Sequence, residues 1–235
     1  MRIETAPLHF YITPPEPCPY LPDRQMMSVF ADPRAEMDTG VYGQLAQAGF
    51  RRSGRHVYRH QCPGCNACVA VRVPVERFRP NRAQRRVWRR NKDLTVHCAP
   101  AAPREEHFDL YRRYVDTRHA GGGMDNPSPR EYWRFISSEW SDTDLVEFRA
   151  GDRLVCVAVC DRLPDGLSAV YTYFDPEESG RSPGTHAILW QIAEARRLGL
   201  PHVYLGYWIA ESPKMAYKAD FRPAEGLRDG IWDTL

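Results

Sequence analysis

Residues 144–209 limit the possible folds of this chain more than any other stretch of its sequence. Three runs rich in β-branched and apolar residues are separated by the turn signals Ala-Gly-Asp and Pro-Asp-Gly. A stretch with apolar residues at helical spacing follows, is closed by Gly199 and Pro201, and leads into the strand pattern HVYLGYWI. This order predicts a hairpin meander followed by a strand–loop–helix–strand unit in one mixed sheet, which is an α+β fold.

The first hundred residues predict a smaller α+β domain that precedes this sheet. Strand patterns occur in 26–33 and in the segments HVYRHQC and ACVAVRVPV, and a helix after the first of them is expected to end at Gly49. The prolines of CAPAAPREE mark a linker. We therefore expect an N-terminal, cysteine-containing, basic domain over 1–100 and a second domain over 101–235.

The composition excludes a membrane span. Hydrophobic residues make up 43% and charged residues 26% of the chain, and no run reaches the roughly 18 apolar residues of a membrane-spanning helix. The segment MRIETAPLHFYITPPEPC is rich in proline and lacks the apolar core of a secretory signal. We expect a cytoplasmic protein without a membrane partner, in a compartment that keeps its seven cysteines reduced.

Three cysteines lie close together in the segment CPGCNAC, and they could bind a metal, act in redox chemistry or pack as reduced thiols. The spacing is that of part of an iron–sulfur motif, but the fourth cysteine expected three residues further on is missing. Cys98 or a cysteine near the N-terminus would have to complete four-coordination from a distance. We adopt packed thiols as the interpretation, with an iron–sulfur cluster or zinc as the alternative at Cys18, Cys62, Cys65 and Cys68.

The segment 72–92 carries nine basic residues and a single acid, Glu76. Such a local excess of cations indicates an anionic partner more strongly than the net charge of +2 does. Because lysine and arginine neutralise backbone phosphates, the segment is predicted to bind nucleic acid. A charged helix face in contact with water alone is the alternative. The predicted contact residues are Arg82, Arg85, Arg86, Arg89, Arg90 and Lys92.

The start of the predicted central helix reads RSPGTH, with Arg181, Gly184 and His186 at fixed spacing. This frame resembles the loop of GNAT-type acyltransferases, although His186 stands where that pattern has glycine or alanine. Such a loop directs free backbone N–H groups of a helix N-terminus at an anion or a developing oxyanion. Short glycine patterns recur by chance, so the frame alone carries little weight.

Five longer segments are far more specific: CPYLPDRQ (18–25), CPGCNACVAVRVPV (62–75), FRPNRAQRRVWRRN (78–91), GTHAILWQIAEARRLGLPHVYLGYWI (184–209) and KMAYKADFRP (214–223). They resemble the bacterial aspartate/glutamate leucyltransferases, relatives of the eukaryotic arginyl-tRNA–protein transferases, over about residues 8–232. The resemblance implies a GNAT-like second domain that transfers leucine from Leu-tRNA to the α-amine of proteins with N-terminal Asp or Glu, marking them for N-end-rule degradation. It implies tRNA and these proteins as partners, a protease adaptor as an indirect downstream partner, and no required cofactor.

The chemistry of such a transfer asks little of the enzyme, because an aminoacyl ester is already activated. The enzyme has to hold a neutral amine near the carbonyl and stabilise the oxyanion. We expect the catalytic scaffold to be the strand that ends with Tyr173 and Asp175 together with the loop to Gly184. Asp175 is predicted to accept or orient the amine proton, and a turn-forming role before Pro176 is the alternative.

An acidic acceptor requires a cationic pocket. Lys214, Lys218 and Arg222 recur at four-residue spacing, so a helix would place them in one row, and Arg72 is a fourth candidate. A row of cations repels itself unless an anion binds, which predicts a site for the acceptor carboxylate or a phosphate of the terminal adenosine. Ordinary solvated surface is the alternative.

Aromatic residues in and beside the last predicted strand are candidates for the aminoacyl end of the tRNA. They could form the wall of a leucine slot or stack on the terminal adenine, and packing in the core is the alternative. The candidates are Tyr204, Tyr207, Trp208 and Tyr217.

Two other functions stay open on the sequence. One is a GNAT-type N-acyltransferase that uses acyl-CoA, favoured by the RSPGTH frame but not by the basic segment. The other is a non-catalytic RNA-binding module, which leaves the strand–loop–helix–strand unit unexplained.

The eukaryotic relatives can hold an iron–sulfur cluster through a CxxC pair near the N-terminus, whereas this chain keeps Cys18 but has Leu21 in place of the second cysteine.

Overall fold

The computed structural model of the chain describes residues 7–118 and 126–235. The glycine triplet at 121–123, where the sequence predicts a break between two helices, lies outside the described residues. The α-helices are α1 (Thr39–Gln47), α2 (Arg82–Arg90), α3 (Glu105–Arg118), α4 (Pro129–Ile136), α5 (Pro183–Arg197) and α6 (Pro213–Ala216). Short 3-10 helices cover Pro176–Arg181 and Tyr217–Asp220. The strands are β1 (Phe10–Ile12), β2 (Glu16–Pro17), β3 (Gln25–Met26), β4 (Ser28–Ala31), β5 (Arg51–Ser53), β6 (His56–His60), β7 (Val69–Pro74), β8 (Thr95–Pro100), β9 (Thr143–Ala150), β10 (Arg153–Leu163), β11 (Gly166–Phe174), β12 (His202–Trp208), β13 (Glu225–Arg228) and β14 (Ile231–Thr234).

Eight of the strands form one mixed sheet in the order β14-β13-β7-β12-β11-β10-β9-β8. Strands β11 and β12 pair in parallel, and the other neighbours pair antiparallel. The meander β9–β10–β11, followed by α5 and β12, has the predicted order of hairpins, strand, helix and strand. The predicted α+β class is confirmed.

Strand β7 lies inside this sheet, between β12 and β13, although it precedes the other central strands in sequence. Its sequence VAVRVP is almost continuously apolar, as is typical of a strand that is buried on both faces. Strand β8 forms the edge beside β9. The predicted domain boundary near residue 100 stays a prediction. Strands β7 and β8 lie in the first hundred residues of the chain, and both belong to the large sheet.

A smaller antiparallel sheet, ordered β1-β4-β6-β5, forms the N-terminal part together with α1. Asp38 caps α1 by accepting a hydrogen bond from the Val41 N–H at 2.7 Å. The helix ends at Gln47, and the predicted terminating glycine, Gly49, follows with a φ of 84°, the left-handed conformation that glycine tolerates after a helix. Tyr42 and Phe50 are buried between helix and sheet.

Helices cover both faces of the large sheet because its central strands are apolar on both sides. Along β10, Cys156, Ala158 and Cys160 face the core that contains α5. The alternate residues Val157 and Val159 face the core that contains α3 and α4. In the part of the chain that the structure describes, no helix has the length and apolar character to cross a membrane.

Candidate functional site

The parallel strands β11 and β12 diverge soon after they begin. Their register pairs three residues of each strand, and the last of these pairs joins Ser168 to Tyr204. Beyond these two residues neither strand pairs with the other, so a gap opens between them. The backbone N–H and C=O groups that face the gap do not form the interstrand hydrogen bonds of a continuous sheet.

The guanidinium of Arg51 lies in this gap. Its Nη2 donates a hydrogen bond to the carbonyl of Ala169, 2.9 Å away. A Cβ atom at Gly206 would lie 1.9 Å from Nη1, so the absence of a side chain there leaves room for the guanidinium. Nε and Nη1 of Arg51 are buried and have no hydrogen-bond partner among the described residues. Such donors are suited to bind an anion.

Lys218 is a second buried cation near Arg51. Its Nζ donates to the carbonyl of Tyr207 at 2.7 Å and approaches the Met215 sulfur at 3.5 Å. Burial, and after it the charge of Arg51, lowers the pKa of Lys218 to about 7. Near neutral pH this side chain can therefore act as a neutral amine that accepts a proton.

Tyr207 also lines a cavity of about 490 Å³. Leu21, Val69 and Leu227 contribute apolar walls. The His60 ring, whose centroid lies 5.0 Å from that of Tyr207, lines it as well. Burial lowers the pKa of His60, so its imidazole is neutral at pH 7.

The four candidate cysteines line the same cavity as Tyr207. Burial, and after it the charges of the neighbouring cysteines, raises the pKa of Cys68 to about 12, so this thiol stays protonated. Among residues 7–118 and 126–235, no group of three or more His, Cys, Asp or Glu side chains is arranged to hold a metal ion. Packed, reduced thiols remain the interpretation that we adopt.

Residues 82–90 of the basic segment form helix α2. The capping box of Asn81 and Gln84 begins the helix, and the Gln84 amide also donates to the carbonyl of Asp220 at 3.0 Å. None of the six predicted cations forms a salt bridge with a described residue. All of them are exposed: Arg82, Arg85, Arg86, Arg89, Arg90 and Lys92. The helix thus presents uncompensated positive charge to solvent.

Asp175 caps the 3-10 helix at Pro176–Arg181. Its carboxylate accepts a hydrogen bond from the Glu177 N–H at 3.1 Å. Nη1 of Arg113 and Nη1 of Arg153 lie 3.3 and 3.5 Å from its Oδ2. The carboxylate is buried and does not line the cavity. This geometry is the turn-forming role, and proton transfer by Asp175 stays a prediction.

The other two predicted catalytic residues lie in structural positions. Tyr173 is fully buried, and its hydroxyl lies 2.6 Å from that of Tyr132, so its side chain belongs to the core. Gly184 lies in the first turn of α5, where Ser182 provides no side-chain cap. His186 is buried with its ring 5.3 Å from that of Trp88, and burial lowers its pKa to about 4. His186, the residue that departs from the GNAT pattern, is thus packed in the core with a neutral imidazole ring.

The four predicted aromatic residues divide between core and surface. Tyr204 is buried, and its hydroxyl donates to the carboxylate of Asp165 at 2.6 Å. Trp208 is half-buried, and its indole N–H donates to the last carbonyl of α6 at 3.2 Å. Tyr217 is 44% exposed. Of the four, Tyr207 is the residue that lines the cavity.

The expected row of Lys214, Lys218 and Arg222 on one helix face is wrong. Helix α6 gives way after four residues to a 3-10 helix, which has three residues per turn. Arg222 precedes a proline, and a helical backbone is disfavoured at such a position. Lys214 and Arg222 are exposed, whereas Lys218 is buried.

Arg72, the fourth predicted acceptor residue, is already paired within the chain. Its Nε donates to the carboxylate of Glu225 at 2.8 Å. Its guanidinium carbon also lies 4.4 Å from the ring centroid of Trp232. Arg72 therefore joins β7 to the last hairpin instead of offering a free cation.

Sequence reasoning missed Arg51 and His60. Arg51 stands next to Arg52 in a short strand, so the two side chains point to opposite faces. When both faces are covered, each arginine needs an anionic partner, and that is the signal from which Arg51 could have been found. His60 carries no comparable signal, because a lone histidine at the end of a strand is common in cores.

The fold is shared with a solved structure. The chain matches the solved C-terminal domain of a lysylphosphatidylglycerol synthetase from Agrobacterium fabrum with a TM-score of 0.52 and 12% sequence identity. The match covers 81% of this chain and 61% of that chain, and at this identity it shows a shared fold alone. With the mixed sheet and its diverging parallel strands, it supports the GNAT-like acyltransferase fold that the RSPGTH frame suggested.

The chain belongs to the arginine-tRNA-protein transferase family. The model of the N terminus of this family matches residues 16–86, and the model of its C terminus matches residues 106–228. Aspartate/glutamate leucyltransferase of Nitrosococcus oceani is 54% identical, with 96% of this chain and 95% of that protein covered. The proteins of that name from Chromobacterium violaceum and Pseudomonas putida strain W619 are 51% and 53% identical, each over 99% of this chain and over 96% and 99% of their own lengths. The resemblance read from the sequence is confirmed.

Proposed function

We propose that this chain transfers leucine from leucyl-tRNA to the α-amine of proteins that begin with aspartate or glutamate. The observation that carries the proposal is full-length identity above 50% to proteins named aspartate/glutamate leucyltransferase. The tagged protein would then pass to N-end-rule degradation through a protease adaptor. Because tRNA and newly made proteins are cytoplasmic, we expect the reaction there.

The α-amine of the acceptor attacks the ester carbonyl of leucyl-tRNA and forms a tetrahedral intermediate. The bond from that carbon to the ribose oxygen then breaks, an amide is formed, and the tRNA leaves. The amine has to lose a proton before it attacks, and the neutral Lys218 amine is the proposed acceptor of that proton. That proton is released to solvent, and a second proton, which the attacking nitrogen loses as the amide forms, passes through Lys218 to the ribose oxygen of the leaving tRNA. The donor carries its own activated acyl group, so the reaction requires no cofactor for acyl activation.

Binding of the donor divides between two surfaces. The exposed cations of α2 supply phosphate contacts of the kind that tolerate any sequence. The cavity of about 490 Å³ beside Tyr207 is in the usual size range of ligand pockets and has apolar walls for a leucyl side chain. Lys218 donates to the carbonyl of Tyr207, whose side chain lines the cavity, so the acceptor amine would meet the ester beside Tyr207.

The test uses purified protein, tRNA charged with isotopically labelled leucine, and peptides that differ only in their first residue. We expect label in peptides that begin with Asp or Glu, little in those that begin with Asn or Gln, and none in an Asp peptide whose amine is acetylated. Absence of label from the Asp peptide, or equal labelling of the Asp and Asn peptides, would contradict the proposal.

A further inference from the structure

Two neighbouring arginines in β5 have opposite environments. Arg52 is buried, and its Nε and Nη2 bind the carboxylate of Asp161 at 2.5 and 2.6 Å. Arg51 forms no salt bridge with any described residue, and the carbonyl of Ala169 is its one hydrogen-bond partner among them. A buried guanidinium without an acid is unfavourable. The position of Arg51 is therefore suited to an anion that is not part of this chain.

The backbone around Arg51 leaves room for its guanidinium. Gly206 has a φ of 85°, which side chains rarely adopt, and a Cβ there would overlap the guanidinium. The register of β12 against β7 shifts between Tyr204 and Gly206, an irregularity of the kind that re-aims a strand near a functional site. The strand on the other side, β11, is unpaired from β12 at this level.

A proton acceptor lies next to the same gap. Lys218 is buried close enough to Arg51 that the guanidinium charge affects its pKa, and no described carboxylate forms a salt bridge with it. An N-terminal Asp or Glu carries an anionic side chain and an α-ammonium group a few bonds apart. The gap offers one group for each of them.

We propose that Arg51 binds the side-chain carboxylate of the acceptor's first residue and is the residue that selects Asp and Glu. The inference rests on the proposed leucyl transfer. The buried Nε and Nη1 favour Arg51 over Lys214 and Arg222, which are exposed and hold a carboxylate only in contact with water. The phosphates of the tRNA have separate, exposed partners on α2, so a carboxylate is the anion that this position fits.

The test compares Arg51→Gln and Arg51→Lys with the parent protein. Arg51→Gln removes the charge, and Arg51→Lys keeps it with fewer donors. Arg55→Gln is the matched control, since Arg55 lies in the same hairpin but is exposed. For each variant, kcat/KM is measured with Asp-initiated and Asn-initiated peptides, and KM is measured for Leu-tRNA. Thermal melting checks the fold.

We expect the parent and Arg55→Gln to prefer the Asp peptide by about 10²-fold or more. Arg51→Gln should lower kcat/KM for the Asp peptide by about the same factor and leave that for the Asn peptide nearly unchanged, so that the preference disappears. Arg51→Lys should keep part of it. KM for Leu-tRNA should not change. The Asp/Asn ratio is taken on one preparation, so an unfolded fraction cancels from it.

An Arg51→Gln variant with the parental Asp/Asn ratio overturns the inference. Equal loss on both peptides also overturns it, because the residue would then serve the chemistry or the fold. A raised KM for Leu-tRNA with an unchanged ratio would assign the anion to the tRNA, against the proposal. Failure of the proposed function is a different result: the parent itself would then transfer no leucine to the Asp peptide.

Discussion

Replacing Arg85, Arg86, Arg89 and Arg90 with alanine should weaken the binding of Leu-tRNA without unfolding the protein. All four side chains are exposed and free of salt bridges with described residues, and alanine is the best helix former. The hydrogen bonds lost are those from Arg85 to the carbonyl of Pro80 and from Arg90 to that of Gly180. Because both arginines are exposed, we expect the stability to change little.

The magnitude follows from counterion release. Each phosphate contact contributes about 0.7 to 0.9 to the slope of log affinity against log salt. Four lost contacts should therefore flatten the slope by about 3 to 3.6. Between roughly 50 and 200 mM salt the parent should lose about 10²-fold more affinity than the variant does.

Fluorescence anisotropy with labelled Leu-tRNA over a salt series measures these slopes. A matched control removes four exposed arginines from the opposite face of the sheet, on α3 and α4: Arg112, Arg118, Arg130 and Arg134. The control should keep the parental slope. If the α2 variant keeps it as well, or if both variants flatten it equally, α2 is not the tRNA-binding surface.

Three further outcomes follow from the buried charges. The pKa of Lys218 is lowered to about 7 in the folded chain, so above that pH the unfolded chain binds more protons than the folded chain does. The free energy of unfolding should therefore rise from pH 7 to 9 by roughly 1–3 kcal/mol. Denaturation of Lys218→Met should lack this rise, and an identical pH profile would contradict the burial. Asp175→Asn should keep its helix cap and at least a third of the parental turnover, whereas a loss of about 10²-fold would restore Asp175 as a proton acceptor. Arg52→Met leaves Asp161 buried and unpaired, which should cost about 3–5 kcal/mol in urea denaturation, and a cost below about 1 kcal/mol would refute that pairing.

The parts of the fold that depend on local signals could be predicted from the sequence. Turn residues fixed the hairpins of β9 to β11, and the spacing of Ile188, Ile192 and Ala195 together with Gly199 fixed helix α5. The place of β7 could not be predicted, because it depends on pairing with strands more than a hundred residues further along the chain. An apolar run such as VAVRVP indicates burial but not the neighbouring strands.

The candidate site was harder to predict because it depends on which charges stay unpaired. Arg72 and Arg51 look alike in sequence, but one meets Glu225 and the other has no described acid as a partner. The prediction that Lys214, Lys218 and Arg222 lie on one face assumed a continuous helix, but α6 ends at Ala216. The exposed cations of α2 were predictable, since the segment contains too few acids to pair with them.

Direct competition between donors is the sharpest measurement of the proposed reaction. An Asp-initiated peptide is incubated with the protein, a full mixture of aminoacylated tRNAs in which the leucine is isotopically labelled, and acetyl-CoA, and the product is read by mass spectrometry. We predict one product, the peptide extended at its α-amine by a single labelled leucine. A product that carries another amino acid or an acetyl group, or an unchanged peptide, would contradict the assignment of this chain as a leucyl-tRNA–protein transferase.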